Sequence, residues 1–240
     1  MLDGEYPNPT RQNFCAEQIA AAGVAAGGPL RQRVSFQAMA KLGAVILAAG
    51  SGTRMGGAAK ALLPYAAGRT YLEKIALTAR AAGLGDGVVV IGPPYGDAVA
   101  GHARALGLRV AVNGEPARGM ASSVAIGFAA IADGDADAAW LWPVDHPDVR
   151  ADSLVRIAAA LGEHEVARPR FEGRGGHPPL IARPVWPRLV GCAAAPGGAR
   201  AVLAAADAID VELDDAGVVR DVDTREDAEA RWPRAEGGRP

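Results

Sequence analysis

Residues 44–64 read Ala-Val-Ile-Leu-Ala-Ala-Gly-Ser-Gly-Thr-Arg-Met-Gly-Gly-Ala-Ala-Lys-Ala-Leu-Leu-Pro, and no other stretch restricts the chain so strongly. The apolar run from Ala44 to Ala48 is short enough and uniform enough for a buried strand. It breaks at once into a loop with glycines at 50, 52, 56 and 57, and Lys60 opens the segment beyond. Small residues let backbone N–H groups approach a ligand closely, and two fixed cations, Arg54 and Lys60, flank them. Successive N–H donors plus cations suit a triphosphate. A loop of this kind after the first strand of an α/β domain is a nucleotide site.

Two common phosphate loops do not fit. A Walker loop closes on Gly-Lys-Ser/Thr, whereas Ala61 follows Lys60 here. The dinucleotide fingerprint needs a third glycine one position earlier than Gly56. The acid that should follow about twenty residues on would be Glu73, which lies within a helical pattern rather than at the end of a second strand.

Downstream of Leu42 the chain alternates strand-like and helix-like patterns, which predicts a mostly parallel sheet covered by helices. Strands are expected at Ala44–Ala48, Gly87–Gly92, Leu108–Asn113, Ala138–Val144, Val166–Phe171, Ala208–Leu213 and Val218–Val222. Helices are expected at Thr70–Ala82, Asp97–Leu106, Ala121–Ala132, Ala151–Leu161, Ala199–Ala206 and Thr224–Arg231. Residues 1–40, rich in Asn, Gln, Pro, Gly and Ala, break this pattern and read as a flexible extension ahead of one domain over 41–235. At 240 residues the chain has length for one full α/β core.

Ligands of such sheets sit beyond the carboxyl ends of the strands, so the residues there deserve inspection. Ser122 and Ser123 begin a helix after the third strand, either as ligand contacts or as ordinary helix caps. Asp145 ends the fourth strand, Trp142-Pro-Val-Asp145-His-Pro, where a carboxylate is costly unless it binds something. One or two carboxylates plus substrate phosphates are the usual cradle of Mg²⁺. His177 follows the fifth strand, and Arg200 stands at a helix start. Asp221 and Asp223, two residues apart on an expected strand, would share a face and one ion; the alternative is a solvated acidic turn.

The loop resembles the signature of the molybdenum-cofactor type of nucleotidyltransferases, MobA-like NTP transferases, which reads Leu-Ala-Ala-Gly-x-Gly-x-Arg-Met-Gly-Gly-x-x-Lys-x-Leu-Leu-Pro. Further segments agree: Asn113 with Gly119-Met-x-Ser-Ser, an Asp-x-Pro at Asp145 with His146 in place of the usual Gln, Gly176-His-Pro, Gly197-Gly-Ala-Arg200, and Asp221-Val-Asp-Thr-x-Glu-Asp with Arg225 in place of a proline. The resemblance covers about residues 44–230 and implies a three-layer α/β/α fold with a mostly parallel mixed sheet. It implies transfer of a nucleoside monophosphate onto a phosphorylated acceptor with release of pyrophosphate. Leu47, Ala48, Ala49, Gly50, Gly52, Thr53, Asn113, Ser122, Ser123, His177 and Arg200 would then contact the substrates. Arg54, Lys60 and Asp145 would carry the chemistry. Asp145 with Asp221 or Asp223 would hold Mg²⁺.

The nucleotide stays open on the residues. Leu47-Ala48-Ala49-Gly50 and Gly176-His177-Pro178 are cytidylyl-like and favour CTP, while the Arg-Met-Gly-Gly-x-x-Lys spacing is more guanylyl-like. A molybdopterin-type acceptor is the first expectation, with a molybdoenzyme client as a further partner. Sugar-phosphate transferases share the loop. A non-catalytic cofactor carrier would need the pocket but not Lys60 and all three acids together.

Bulk properties exclude other classes. A net charge of −2 leaves no electrostatic footprint for nucleic acid or an anionic membrane. No apolar run approaches the ~20 residues of a membrane span, and no signal-peptide pattern opens the chain, so a cytoplasmic location is expected. Cys15 and Cys192 lack metal-type spacing and read as free thiols.

Overall fold

The computed structural model describes residues 41–50, 57–223 and 227. The extension expected over residues 1–40, the loop residues Gly52, Thr53 and Arg54, and every residue of the last expected helix except Asp227 lie outside these. Eight strands form one mixed sheet: β1 (Leu42–Leu47), β2 (Leu84–Ile91), β3 (Arg109–Val112), β4 (Ala138–Pro143), β5 (Val166–Phe171), β6 (Arg174–Gly175), β7 (Leu180–Ala182) and β8 (Ala208–Glu212). Their order is β3-β2-β1-β4-β7-β5-β6, with β8 also paired to β5. The pairs β1–β2, β1–β4, β2–β3 and β5–β8 are parallel, and β7 lies antiparallel to both β4 and β5.

Alternation along each strand sorts its side chains between two cores. Ala44, Ile46, Trp140 and Trp142 face α1 (Tyr71–Ala81), α2 (Gly96–Ala105) and α4 (Ala151–Leu161). Val45, Leu47, Ala139 and Leu141 face α3 (Met120–Ile131) and α5 (Trp186–Val190), with α6 (Gly198–Ala204) packed beside them. The result is the three-layer α/β/α arrangement. Because β1 is covered on both sides, all of Gly43–Leu47 is buried, which explains its unbroken apolar run.

Helix α1 begins with a capping box. Glu73 N–H donates to Thr70 Oγ1 at 3.2 Å and Thr70 N–H to Glu73 Oε2 at 2.6 Å. Glu73 is therefore occupied in starting a helix, which agrees with rejecting a dinucleotide fingerprint. Helix α3 lies very close to the sheet. A Cβ at Gly127 would meet Val45 Cγ1 at 2.2 Å and Val90 Cγ2 at 2.9 Å. Gly127→Ala is expected to lower stability by about 1–3 kcal/mol through overpacking, measurable by urea unfolding; a change within about 0.5 kcal/mol would contradict so tight a contact.

Four elements depart from expectation. The segment Val218–Val222 is not a strand: Ala216–Val218 is a 3-10 turn and residues 219–223 are irregular. Asp215 accepts from Gly217 N–H and turns the chain there, so its backbone bonds go to the site and not to a ladder. Strands β6 and β7 were not expected because they are two and three residues long and interrupted by Gly175-Gly176 and Pro178-Pro179. Helix α5 carries Pro187 in its first turn and follows a 3-10 turn that contains Pro184, in a stretch without clear periodicity. Among the described residues no helix is long and apolar enough to cross a membrane, and Cys192 is a buried free thiol.

Candidate active site

The winding of a β3-β2-β1-β4 sheet reverses between β1 and β4, which opens a crevice at their carboxyl ends. A cavity of about 440 Å³ lies there, lined by Leu47, Ala48, Ala49 and Gly50 after β1 and by Pro143, Val144 and Asp145 after β4. Lys60 and Ser123 complete the set, with Pro116, Ala117, Gly119 and Met120 along the α3 side. The end of β1 is tied to β2 by Ala48 N–H to Val90 O at 2.8 Å and to the end of β4 by Val144 N–H to Leu47 O at 3.1 Å. Backbone positions at the cavity floor are thus set by the central strands.

Lys60 opens a short 3-10 turn, Lys60–Leu62, and its ammonium reaches two acids. Nζ lies 2.5 Å from Asp223 Oδ1 and 3.7 Å from Asp145 Oδ2. Val222 N–H donates to the Asp145 carbonyl at 2.9 Å, which seats the 219–223 segment against the end of β4 and delivers Asp223. Asp221, next along, is exposed. Of the two acids considered as partners of Asp145, Asp223 is the one brought to Lys60.

His146 stands where the resemblance has Gln. Its Nδ1 is 2.9 Å from Asp145 Oδ1, and its carbonyl accepts from Trp142 Nε1–H at 2.9 Å. The ring therefore orients Asp145. Burial alone would raise the Asp145 carboxyl. The His146 hydrogen bond and charge, with the Lys60 charge, outweigh that and hold it below the usual carboxylate value. Asp145 is thus an anion at neutral pH.

Ser122 and Ser123 occupy the third and fourth positions of α3, so neither is its cap, which is Gly119. Buried Asn113 donates from Nδ2 to both hydroxyl oxygens, 2.9 Å each, and accepts Glu115 N–H at 3.0 Å. Ser122 gives its own proton to Gly119 O at 2.8 Å. Asn113 and Ser122 stand behind the wall and brace Ser123, which faces the cavity. A serine oxygen that accepts from Asn113 keeps its O–H to donate.

His177 and Arg200 do not line this cavity. They line a second one, of about 680 Å³, between α3, α6 and β5. The His177 N–H donates to Val218 O at 2.7 Å, and Gly176 permits that approach, since a Cβ there would sit 2.3 Å from the same oxygen. Arg168, Arg170 and Asp210 share this second cavity and went unnoticed in the sequence, although Arg-x-Arg on a strand puts both side chains on one face. Burial, with the charge of His146, pushes the His177 imidazole down to about 4. Between about pH 6.5 and 4 the unfolded chain takes up a proton there that the folded protein refuses. Stability from this group falls as pH drops through that window and levels off below it, at about 1 kcal/mol per pH unit. His177→Asn should flatten urea unfolding midpoints between pH 7 and pH 4.5; parallel pH profiles for the two proteins would refute this.

Among the described residues no group of three or more His, Cys, Asp and Glu side chains is placed to hold a metal by itself. Two hard carboxylates with a cation between them nonetheless match the chemistry of Mg²⁺ or Mn²⁺, which complete their shells with water and substrate phosphates.

Residues 44–211 match the MobA-like NTP transferase domain. Nicotine blue oxidoreductase of Paenarthrobacter nicotinovorans is 32% identical over 166 residues, 66% of this chain and 79% of that protein. Rv0371c of Mycobacterium tuberculosis H37Rv is 27% identical with a TM-score of 0.65, over 80% of this chain and 97% of that one. A complex of Rv0371C with manganese superposes with a TM-score of 0.61 at 24% identity, over 81% and 100% of the two chains.

Proposed function

Since the chain belongs to the MobA-like NTP transferase family, a family of nucleotidyltransferases, we propose that it moves CMP from CTP onto a phosphate-bearing acceptor of the molybdopterin type. The observation that carries this reading is the Lys60 ammonium set between Asp145 and Asp223 at the mouth of the β1–β4 cavity. In the reaction an acceptor phosphate oxygen attacks the α-phosphorus. A new P–O bond forms to the acceptor, the bond to the β-phosphate oxygen breaks, and pyrophosphate leaves with that electron pair. Such a step asks the protein for alignment and charge compensation.

Each residue has a part in that. Backbone N–H groups at Ala49 and Gly50 approach the phosphates, with Arg54 in the same loop as a further cation. Lys60 meets the negative charge that develops around the α-phosphorus. Asp145 and Asp223 are the residues that would hold a divalent cation, which when bound would offset phosphate charge. That Rv0371C is known in complex with manganese supports a divalent cation as the metal class. Asn113 and Ser122 fix Ser123, whose hydroxyl donates to the base or ribose. CTP is favoured because Leu47-Ala48-Ala49-Gly50, which lines the cavity, has the cytidylyl-like form of this loop.

A redox reading draws on the name of the 32% identical relative. The glycine spacing and the capping role of Glu73 argue against it here. Pyrophosphate release should therefore be measured with CTP, GTP, UTP and ATP, with Mg²⁺ or Mn²⁺, with and without molybdopterin, beside binding of NADH and NADPH. Release with CTP that requires the acceptor is the expected result. Absence of release with every nucleotide, or tight binding of a nicotinamide cofactor in their place, would overturn the proposal.

A further inference from the structure

The segments that carry Lys60 and Asp145 meet a second time, behind the cavity. Downstream of Lys60, the Tyr65 hydroxyl donates to Oδ1 of Asp148, downstream of Asp145, at 3.0 Å. Both residues are half-buried, and neither lines the cavity.

Each end of this bond is anchored. On one side Leu63 N–H donates to Lys60 O at 3.1 Å, Tyr65 N–H to Arg69 O at 2.6 Å and Tyr71 N–H to Leu63 O at 3.1 Å. Residues 60–65 therefore hang as one unit from the start of α1. On the other side Val149 O accepts from Lys74 Nζ at 3.4 Å. The Asp148 carbonyl packs on Gly217, where a Cβ would lie 2.6 Å from it. Lys74 also donates to Thr78 Oγ1 at 2.7 Å and stands 5.8 Å from the Tyr65 ring centroid. Burial lowers the pKa of Lys74, and the charges of Asp148 and Asp215 work against that. A charge-assisted bond between two fixed ends sets the spacing of the segments that it joins.

The other side-chain links at this junction are the Lys60 ion pairs, to Asp145 and to Asp223. A lysine that turns to a phosphate cannot keep both. When Lys60 meets the α-phosphate those pairs open, while the Tyr65–Asp148 bond, outside the cavity, remains.

We propose that Tyr65 is a positioning residue: by bonding Asp148 it keeps Lys60 in register with Asp145 after the Lys60 ion pairs have opened, a role that rests on the transferase reading above.

Pyrophosphate release and amide hydrogen exchange, both on the full chain, test this. Tyr65→Phe keeps the ring beside Lys74 and is expected to lower kcat about tenfold with KM for CTP within about twofold, because a misplaced cation costs rate more than binding. Asp148→Ala should lower kcat to a similar degree, and the double variant should fall no further, since each substitution removes the same bond. Asp148→Asn keeps an acceptor oxygen and should recover most of the loss. The amides of Leu62 and Leu63, which close the Lys60 turn, should exchange in Tyr65→Phe as in the unsubstituted protein without nucleotide, and at least about fivefold faster with CTP–Mg²⁺ bound. An unchanged kcat in Tyr65→Phe, additive losses in the double variant, or exchange raised equally with and without CTP would overturn the role and leave the transferase reading standing. If the unsubstituted protein neither binds CTP nor releases pyrophosphate from it, that reading fails and the role fails with it.

Discussion

Lys60→Ala is expected to reduce the rate of pyrophosphate release by about 10²–10³-fold, or ~3–4 kcal/mol of transition-state stabilisation. The same substitution should tighten Mn²⁺ binding in the absence of nucleotide. The two effects have opposite sign for one reason. In the free protein the ammonium lies between Asp145 and Asp223 and neutralises them, so it competes with any divalent cation for the same oxygens. Once it is removed, two anions face one another across the site, and a cation relieves their repulsion. Catalysis loses the charge that would meet the α-phosphate. Steady-state kinetics and Mn²⁺ titration by electron paramagnetic resonance read the two effects separately. A lower Mn²⁺ affinity in the variant would show that Lys60 does not stand in for the ion, and an unchanged rate would remove it from the chemistry.

Asp215→Ala should be the most damaging single change to the fold away from the large apolar side chains. Its carboxylate is buried and accepts from Arg150 N–H at 2.9 Å, Ser153 Oγ–H at 2.7 Å and Gly217 N–H at 2.9 Å. These bonds join the start of α4 to the Ala216–Val218 turn. Removing the acceptor strands donors in a place water does not reach, for an expected loss of about 3–5 kcal/mol. Gly217 leaves little freedom to adjust, since a Cβ there would lie 2.6 Å from Asp148 O. The turn also supplies the carbonyl that accepts His177 N–H, and the segment after it delivers Asp223. Loss of activity should therefore precede global unfolding as urea is raised, and Asp215→Asn, which keeps one acceptor oxygen, should fall between the two. Coincident loss of activity and structure, or a destabilisation under about 1 kcal/mol, would contradict this account of the turn.

Lys60 and Asp145 were legible before any coordinates because each follows a strand that announces itself. Ala44–Leu47 and Ala138–Trp142 are apolar without interruption, as strands buried on both faces must be, and parallel sheets place ligands beyond such ends. Helices α1 to α4 were readable from the same kind of local pattern, and α1 carries its start signal in Thr70 and Glu73. These are properties of residues near one another in the chain, so the order of amino acids is enough to express them.

The choice of Asp223 over Asp221 as the partner of Lys60 has no local signal, because the two residues that meet are 163 positions apart. It depends on Asp215 turning the chain and on Val222 bonding to Asp145, both of which replace the strand that Val218–Val222 resembles. The division of the residues expected to contact substrate between two cavities is likewise set by packing: Ser123 faces one, His177 and Arg200 the other, and Asn113 and Ser122 neither. Strand β7 has only three residues, too few to assert themselves by periodicity, and exists because β4 and β5 offer hydrogen-bonding edges on either side of it. A motif can specify the chemistry of a loop, but which distant carboxylate completes the site depends on where the sheet and its turns bring the chain back.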